Sequence, residues 1–243
     1  MKNRSFSFIT SYFFVLLLLL STLAYSGDQA YFELTGFSAS GQYLSWETGG
    51  IQDGSGFQWA SLEILNTQTS MQEENFEYVW DEYIDEFPSE TDMLNFEKEK
   101  ENICNAWGID LNEVYEPLVF YPLTDLGVNR DTVTFCLEKY VPDYHSGEIT
   151  LTLLNKPADI EQSYPEWFPP PVTPVLQIKV NEEESVFFQE NTVPEECSFS
   201  MSYGIYAIYR NPILPENLIV VLGTTEPGFE GPNGRFRVVS GSI

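Results

Sequence analysis

One histidine, 37 carboxylates and three cysteines are the side chains of this chain best suited to holding metals or exchanging protons near neutral pH. His145 stands in "VPDYHSGE". A zinc site built on it needs carboxylate or thiolate co-ligands, yet the chain has no C-x-x-C, no H-E-x-x-H and no second histidine. A hydrolytic triad needs His145 as base beside an oriented nucleophile; no G-x-S-x-G occurs, and Asp143 and Ser146 lie too near in sequence for triad geometry. His145 therefore reads as a turn residue. Paired carboxylates perform glycoside hydrolysis when held at a set separation with one pKa raised. Thirty-seven acids generate almost every spacing by chance, so no catalytic residue is named. Trp46, Trp59 and Trp167 are candidates for stacking on sugar rings, with packing inside a sandwich the more ordinary fate.

Metal and redox chemistry is equally sparse. Asp53, in the glycine-rich "GGIQDGSG" of Gly49 to Gly56, offers oxygen ligands to calcium, but a Ca²⁺ ion takes six to eight oxygens and no EF-hand pattern supplies the rest. The structural alternative has Asp53 and Ser55 bonding nearby backbone amides. No cofactor is implied. Cys104, Cys136 and Cys197 allow at most one internal disulfide in an oxidising compartment. Cys136 and Cys197 fall in strand-like sequence and Cys104 on a helix, which favours Cys136 with Cys197; three unpaired thiols are the alternative.

The compartment follows from the first residues. Lys2 and Arg4 precede "FFVLLLLL" at Phe13 to Leu20, and small residues Ala24 and Ser26 precede Gly27. These are the three parts of a secretory signal peptide, so residues 1–26 are expected to be removed by cleavage between Ser26 and Gly27. The apolar run is short for a bilayer span, so no stable membrane span is expected after cleavage. Residues 27–243 then form a secreted or periplasmic β-rich domain. Cleavage removes two of the 11 basic residues and no acid from a chain whose net charge is already −26. Such a field repels nucleic acid and anionic membrane surfaces and favours cations or basic partners; the partner expected is an unknown protein or glycan of the envelope.

Hydrophobic patterning predicts mainly antiparallel β structure, sandwich-like, with one acidic helical insertion at about 71–116. Strands are expected near Tyr31 to Gly36, Gln42 to Glu47 and Phe57 to Asn66, split by turn-forming "SASG" and "GGIQDGSG". Alternation in the third puts Ala60, Leu62 and Ile64 on the core face and Trp59, Ser61 and Glu63 on the other. Residues 71–116 hold fifteen acids against Lys98 and Lys100. Within them Met93, Phe96, Ile103 and Trp107 recur at helical spacing from a capping Ser89, and Gly108 can stop the helix. From Leu118, eight short apolar runs return: "LVFYPL", "DTVTFCLEKY", "GEITLTLL", "PVLQIKV", "ESVFFQE", "FSMSYGIYAIYR", "NLIVVLGTT" and "GRFRVVSG". None is followed by a crossover helix, which argues for antiparallel sheets. "YPEWFPPPVTP" at Tyr164 to Pro174 is too rich in proline for a central strand.

Phe37 to Trp46, closing with Leu62 to Thr67, resembles one blade repeat of secreted TolB-type propellers, with Ser40 and Asn66 where that pattern has Asp. A propeller needs at least four blades, and one good copy is present, with a faint echo at Phe199 to Tyr206. If the echo is real, the two ends of the chain share one sheet. At its two ends, which bracket nearly the whole mature chain, the sequence also resembles bacterial predicted secreted proteins classified only as a domain of unknown function, while the acidic helix and the middle strands match poorly. The likeness rests on Gly27-Asp28, Gly36-Phe37-Ser38, Gly49-Gly50, "DGSGF" and Trp59-Ala60 at the start, and on "YGIY" and "PGFEGPNGRF" near the end. It brings no activity or site residue with it. The sequence thus leaves a non-enzymatic binding or structural module of the periplasm or cell surface as the main reading, with a carboxylate-dependent hydrolase of envelope polysaccharide as the alternative.

Overall fold

The computed structural model describes residues 28–52, 54–80, 90–121, 131–137, 147–158, 170–190, 200–228 and 232–243. The expected signal segment, Gly27, Asp53, His145, Trp167 and Cys197 lie outside them. The described chain is mostly β, with three antiparallel sheets, one helix and no closed barrel.

β1 (Tyr31–Ser38), β2 (Tyr43–Ile51), β3 (Gln58–Asn66) and β4 (Met71–Trp80) form a meander, extended beside β1 by β5 (Ile109–Asp110). α1 (Glu90–Ala106) packs on one face of this first sheet. β6 (Val119–Phe120), β11 (Ser202–Arg210), β12 (Asn217–Glu226) and β13 (Asn233–Ser242) make the second sheet, and β7 (Thr132–Cys136), β8 (Glu148–Pro157), β9 (Val172–Val180) and β10 (Glu183–Gln189) the third. All eight apolar runs after Leu118 thus became strands.

The layers are held by three cores. Leu62, Ile64 and Ile109 of the first sheet pack against Cys104 of α1. Leu34, Phe37, Leu44, Trp46 and Leu65, from the other face of that sheet, meet Ala207, Tyr209, Ile219, Val221 and Val238 of the second. Ile205, Leu218, Val220 and Leu222 of the second sheet then meet Ile149, Leu151, Leu176 and Ile178 of the third. The second sheet is therefore covered on both faces, which is why β12 reads "NLIVVLGTT", a continuous apolar run instead of an alternation.

Several expectations change. The core of β3 is two-sided: Leu62 and Ile64 face the helix, while Leu65 packs toward the second sheet. Acidic residues 71–80 form the edge strand β4, whose Glu73, Glu74 and Glu77 keep the edge charged, as exposed edges require. In α1 the buried stripe is Phe96 and Cys104, with Ile103 packed beside it; Met93 is half exposed. Gly108 ends the helix with φ of 66°, as expected of a left-handed cap. "GGIQDGSG" is shorter as a loop than its eight residues suggest, because Gly49, Gly50 and Ile51 pair with Ala60, Trp59 and Gln58. It does connect antiparallel strands, and Ser55 Oγ accepts from the Phe57 amide at 3.3 Å. Pro174 lies within β9, a central strand, near its first residue, where the missing N–H removes only one ladder bond.

The faint echo at β11 does not share a sheet with β1 to β3; the two sheets pack face to face. Their ends are tied instead by polar bonds. Thr67 O accepts from Asn217 Nδ2 at 2.9 Å and Ser240 Oγ at 2.8 Å, and Gly41 O accepts from Asn211 Nδ2 at 2.7 Å. Gly41 must be glycine, since φ is 70° and a Cβ there would stand 2.8 Å from Asn211 Oδ1. Asn66 Oδ1 and Ser40 Oγ accept from the Gln68 and Gln42 amides, so both close their turns without aspartate.

Candidate functional site

The first sheet carries a cavity on each face. On the helix side, a cleft of about 430 Å³ is lined by Trp80, Phe96, Met93, Ile51, Ala60 and Trp59. Its apolar wall exists because β4 alternates: Phe76 and Trp80 point at Phe96, with ring centroids 5.8 and 5.9 Å away. Glu47 and Glu97 supply its charge. Glu47 accepts from the Tyr31 hydroxyl and from Lys100 Nζ at 2.8 Å, and Lys100 also meets Glu97 at 2.7 Å. Those two carboxylates hold the Lys100 ammonium above its ordinary pKa, although burial itself pulls it down. Burial raises the Tyr31 phenol, and Glu47 raises it further. These groups satisfy one another, so the cleft offers a ligand mainly apolar surface. Trp80 adds a buried indole N–H with no partner.

Trp59 is itself 92% buried, since its exposure is 8%. Its indole donates to Asp28 Oδ2 at 3.3 Å, and the Arg235 guanidinium lies 4.9 Å from its ring centroid. Arg235 in turn meets Asp28 Oδ2 at 2.8 Å. Trp59 is thus a packing residue, and the three side chains clamp the segment before β1 onto β13.

On the opposite face, between the first and second sheets, lies a polar cavity of about 160 Å³ lined by Trp46, Glu63, Tyr203, Thr224, Glu226 and Arg237 among others. Trp46 and Glu63 are cross-strand neighbours in β2 and β3, so period-two geometry sends both into it. Glu63 was expected on the outward face of β3; a sheet layered on both sides turns that face inward. Arg237 Nη2 meets Glu190 Oε1 at 2.6 Å. Burial pushes the Glu63 carboxyl up to about 7, offset by the Arg237 charge and by the Trp46 N–H, with Glu77 adding to the rise. Burial also raises Glu190 against Arg237 and the Tyr203 hydroxyl, and raises Glu226 against Arg235 and Thr224. The Trp46 N–H leans toward Glu63 and the Thr224 hydroxyl toward Glu226, yet neither reaches hydrogen-bond geometry, and Arg237 Nε is also left without a partner.

A raised carboxylate means that the folded chain binds a proton the unfolded chain has already lost. Stability contributed by Glu63 is therefore fully present below the unfolded pKa of about 4.5 and lost as pH rises through about 7. The difference amounts to about 3 kcal/mol. Thermal unfolding of wild type and Glu63→Gln at pH 5 and pH 8 is expected to show a smaller loss at the higher pH in the variant. Equal losses in both proteins contradict the assignment.

Among the described residues, no group of three or more His, Cys, Asp or Glu side chains is placed to hold a metal ion. Cys104 is buried, its thiol raised by burial and set 3.8 Å from Ser45 Oγ, while Cys136 is exposed at the end of β7. No described helix is long and apolar enough to cross a membrane.

Fold and cavities together define a layered antiparallel β protein with two recesses and, among its described residues, no cluster of His, Cys, Asp or Glu placed to hold a metal ion. The chain belongs to the family described as Predicted secreted protein (DUF2259), whose model matches residues 45–242. That membership carries an exported, secreted or periplasmic character and a function not yet assigned. No curated protein and no solved structure matches the chain significantly. The TolB-type blade likeness has no support from these matches.

Proposed function

We propose that residues 27–243, released by cleavage after Ser26, form one exported domain that acts as a non-catalytic binding module. Its ligand presents an apolar face to the cleft between α1 and the first sheet. The observation that carries this reading is the cleft itself: its volume is in the range of small-molecule sites, its walls are aromatic, and its charged groups are already paired among themselves. In the oxidising compartment, exposed Cys136 remains the proposed partner of Cys197, whereas Cys104 is enclosed. A calcium role for Asp53, which lies outside the described residues, is not carried forward.

Nile red, a neutral apolar dye, tests the reading. Saturable binding with blue-shifted emission is expected. Met93→Asp, at a position 53% exposed and so harmless to the core, should weaken it about tenfold by placing a charge on the apolar wall. No saturable binding, or binding indifferent to Met93→Asp, contradicts the proposal.

The hydrolase reading is favoured by one observation, Glu63 raised to about 7 near Glu226 in a cavity with aromatic walls. The cavity volume of 160 Å³ weighs against it. That is below the roughly 300–1,000 Å³ of sites that enclose larger ligands, too little for two sugar residues flanking a scissile bond.

A further inference from the structure

We propose that the polar cavity between the first and second sheets binds a small neutral polyhydroxylated molecule, of the size of one sugar ring, through Trp46, Glu63, Thr224, Glu226 and Arg237. This is a second site, on the sheet face opposite the aromatic cleft, and does not depend on the reading of that cleft.

The donors and acceptors on the walls decide the ligand class. Trp46 and Thr224 are 2% and 3% exposed. The Trp46 N–H and the Thr224 hydroxyl are buried facing Glu63 and Glu226 without completing a hydrogen bond, and Arg237 Nε is buried with no partner. A buried donor left unmade is costly, so three around one cavity call for acceptors inside it. The same walls present the carboxylates of Glu63 and Glu226 as acceptors. An anionic ligand is disfavoured because burial already opposes negative charge on both Glu63 and Glu226, and the cation that would attract it, Arg237, is engaged by Glu190 at 2.6 Å. A cationic ligand gains from the carboxyl groups, but its ammonium offers the three donors no acceptor and faces the guanidinium. A neutral hydroxylated molecule satisfies both sets, because each hydroxyl accepts one bond and donates another. Trp46, Phe236 and Tyr203 supply the apolar walls that the ring faces of such a molecule need. Exposed Gln72 and the partly exposed Arg237 line the cavity and mark its way out to solvent.

The test is a titration, by calorimetry and ligand-observed NMR at neutral pH, with three molecules that share a ring and differ in charge: glucose, glucosamine and glucuronate. Wild type, Trp46→Phe and Thr224→Val are compared after circular dichroism has confirmed that each folds. Trp46→Phe keeps an aromatic wall and removes the N–H; Thr224→Val keeps the shape and removes the hydroxyl. Saturable binding of glucose, stronger than that of either charged analogue and weakened about tenfold in each variant, is the expected result. Preference for glucosamine or glucuronate, indifference to both substitutions, or no binding of any of the three overturns the proposal. In the last case the cavity holds water only.

Discussion

Val220→Asp and Val221→Asp are each expected to prevent folding, although the two side chains point in opposite directions from neighbouring positions of β12. Val220 belongs to the core shared with the third sheet and Val221 to the core shared with the first, and both are 0% exposed. A carboxylate in either place has no partner, and the cost is about 5 kcal/mol or more, comparable with the whole stability of a domain. An ordinary two-layer sandwich has one solvated face per sheet and tolerates one of these changes. The control is Thr134→Asp on β7, where the exposed Thr134 hydroxyl bonds Thr150 at 3.0 Å; its cost is under about 1 kcal/mol. Far-ultraviolet circular dichroism and denaturant unfolding read the outcome. A folded Val220→Asp or Val221→Asp protein refutes the three-sheet stack.

Arg235→Ala is expected to destabilise by about 3–5 kcal/mol, the usual effect of stranding a buried charge. Asp28, whose side chain is 1% exposed, meets Arg235 at 2.8 Å and is otherwise supported by the Trp59 N–H alone, since its second oxygen has no partner. The same residues anchor the start of the described chain: Asp28 N donates to Asn233 Oδ1 at 3.0 Å, and Gly234 N donates to Asp28 O at 2.7 Å. Removing both charges, in Asp28→Leu with Arg235→Met, should recover most of the loss, because two apolar groups leave nothing unpaired. Urea unfolding of the single and double variants measures this. A double variant no more stable than Arg235→Ala contradicts the clamp.

Much of the fold was legible in the residues. β1 to β3, the helix with its glycine stop and the eight later strands all follow from alternation, helical spacing and turn residues. β4 was hidden because half of its residues are polar and four of them, Gln72 to Asn75, are consecutive, which breaks the alternation an edge strand still needs on only one face. Which sheet faced which was not legible: alternation sorts side chains into two faces without saying what covers either. That is why Glu63 read as an outward residue when a second sheet in fact lies over it. The continuous apolar run of β12 was the one available sign that some sheet was buried on both sides. The candidate sites were harder still. The cleft joins β1, β2, β3, β4 and α1, and the polar cavity joins Trp46 to Arg237, so each depends on contacts between residues far apart in the chain. Counting acids gave no hint of Glu63, Glu190 and Glu226, because what distinguishes them is burial.

The most direct test of the binding role uses the indole N–H signals of the five tryptophans as reporters. Trp80 lines the aromatic cleft with its N–H unpartnered, Trp46 lies on the opposite face of the same sheet, and Trp107 is engaged by Glu74. Two-dimensional NMR of indole-labelled protein titrated with Nile red should show a saturable shift of the Trp80 signal and a smaller one of Trp59, while Trp46 and Trp107 stay in place. An unmoved Trp80 signal, or equal drift of all the indole signals, contradicts the account.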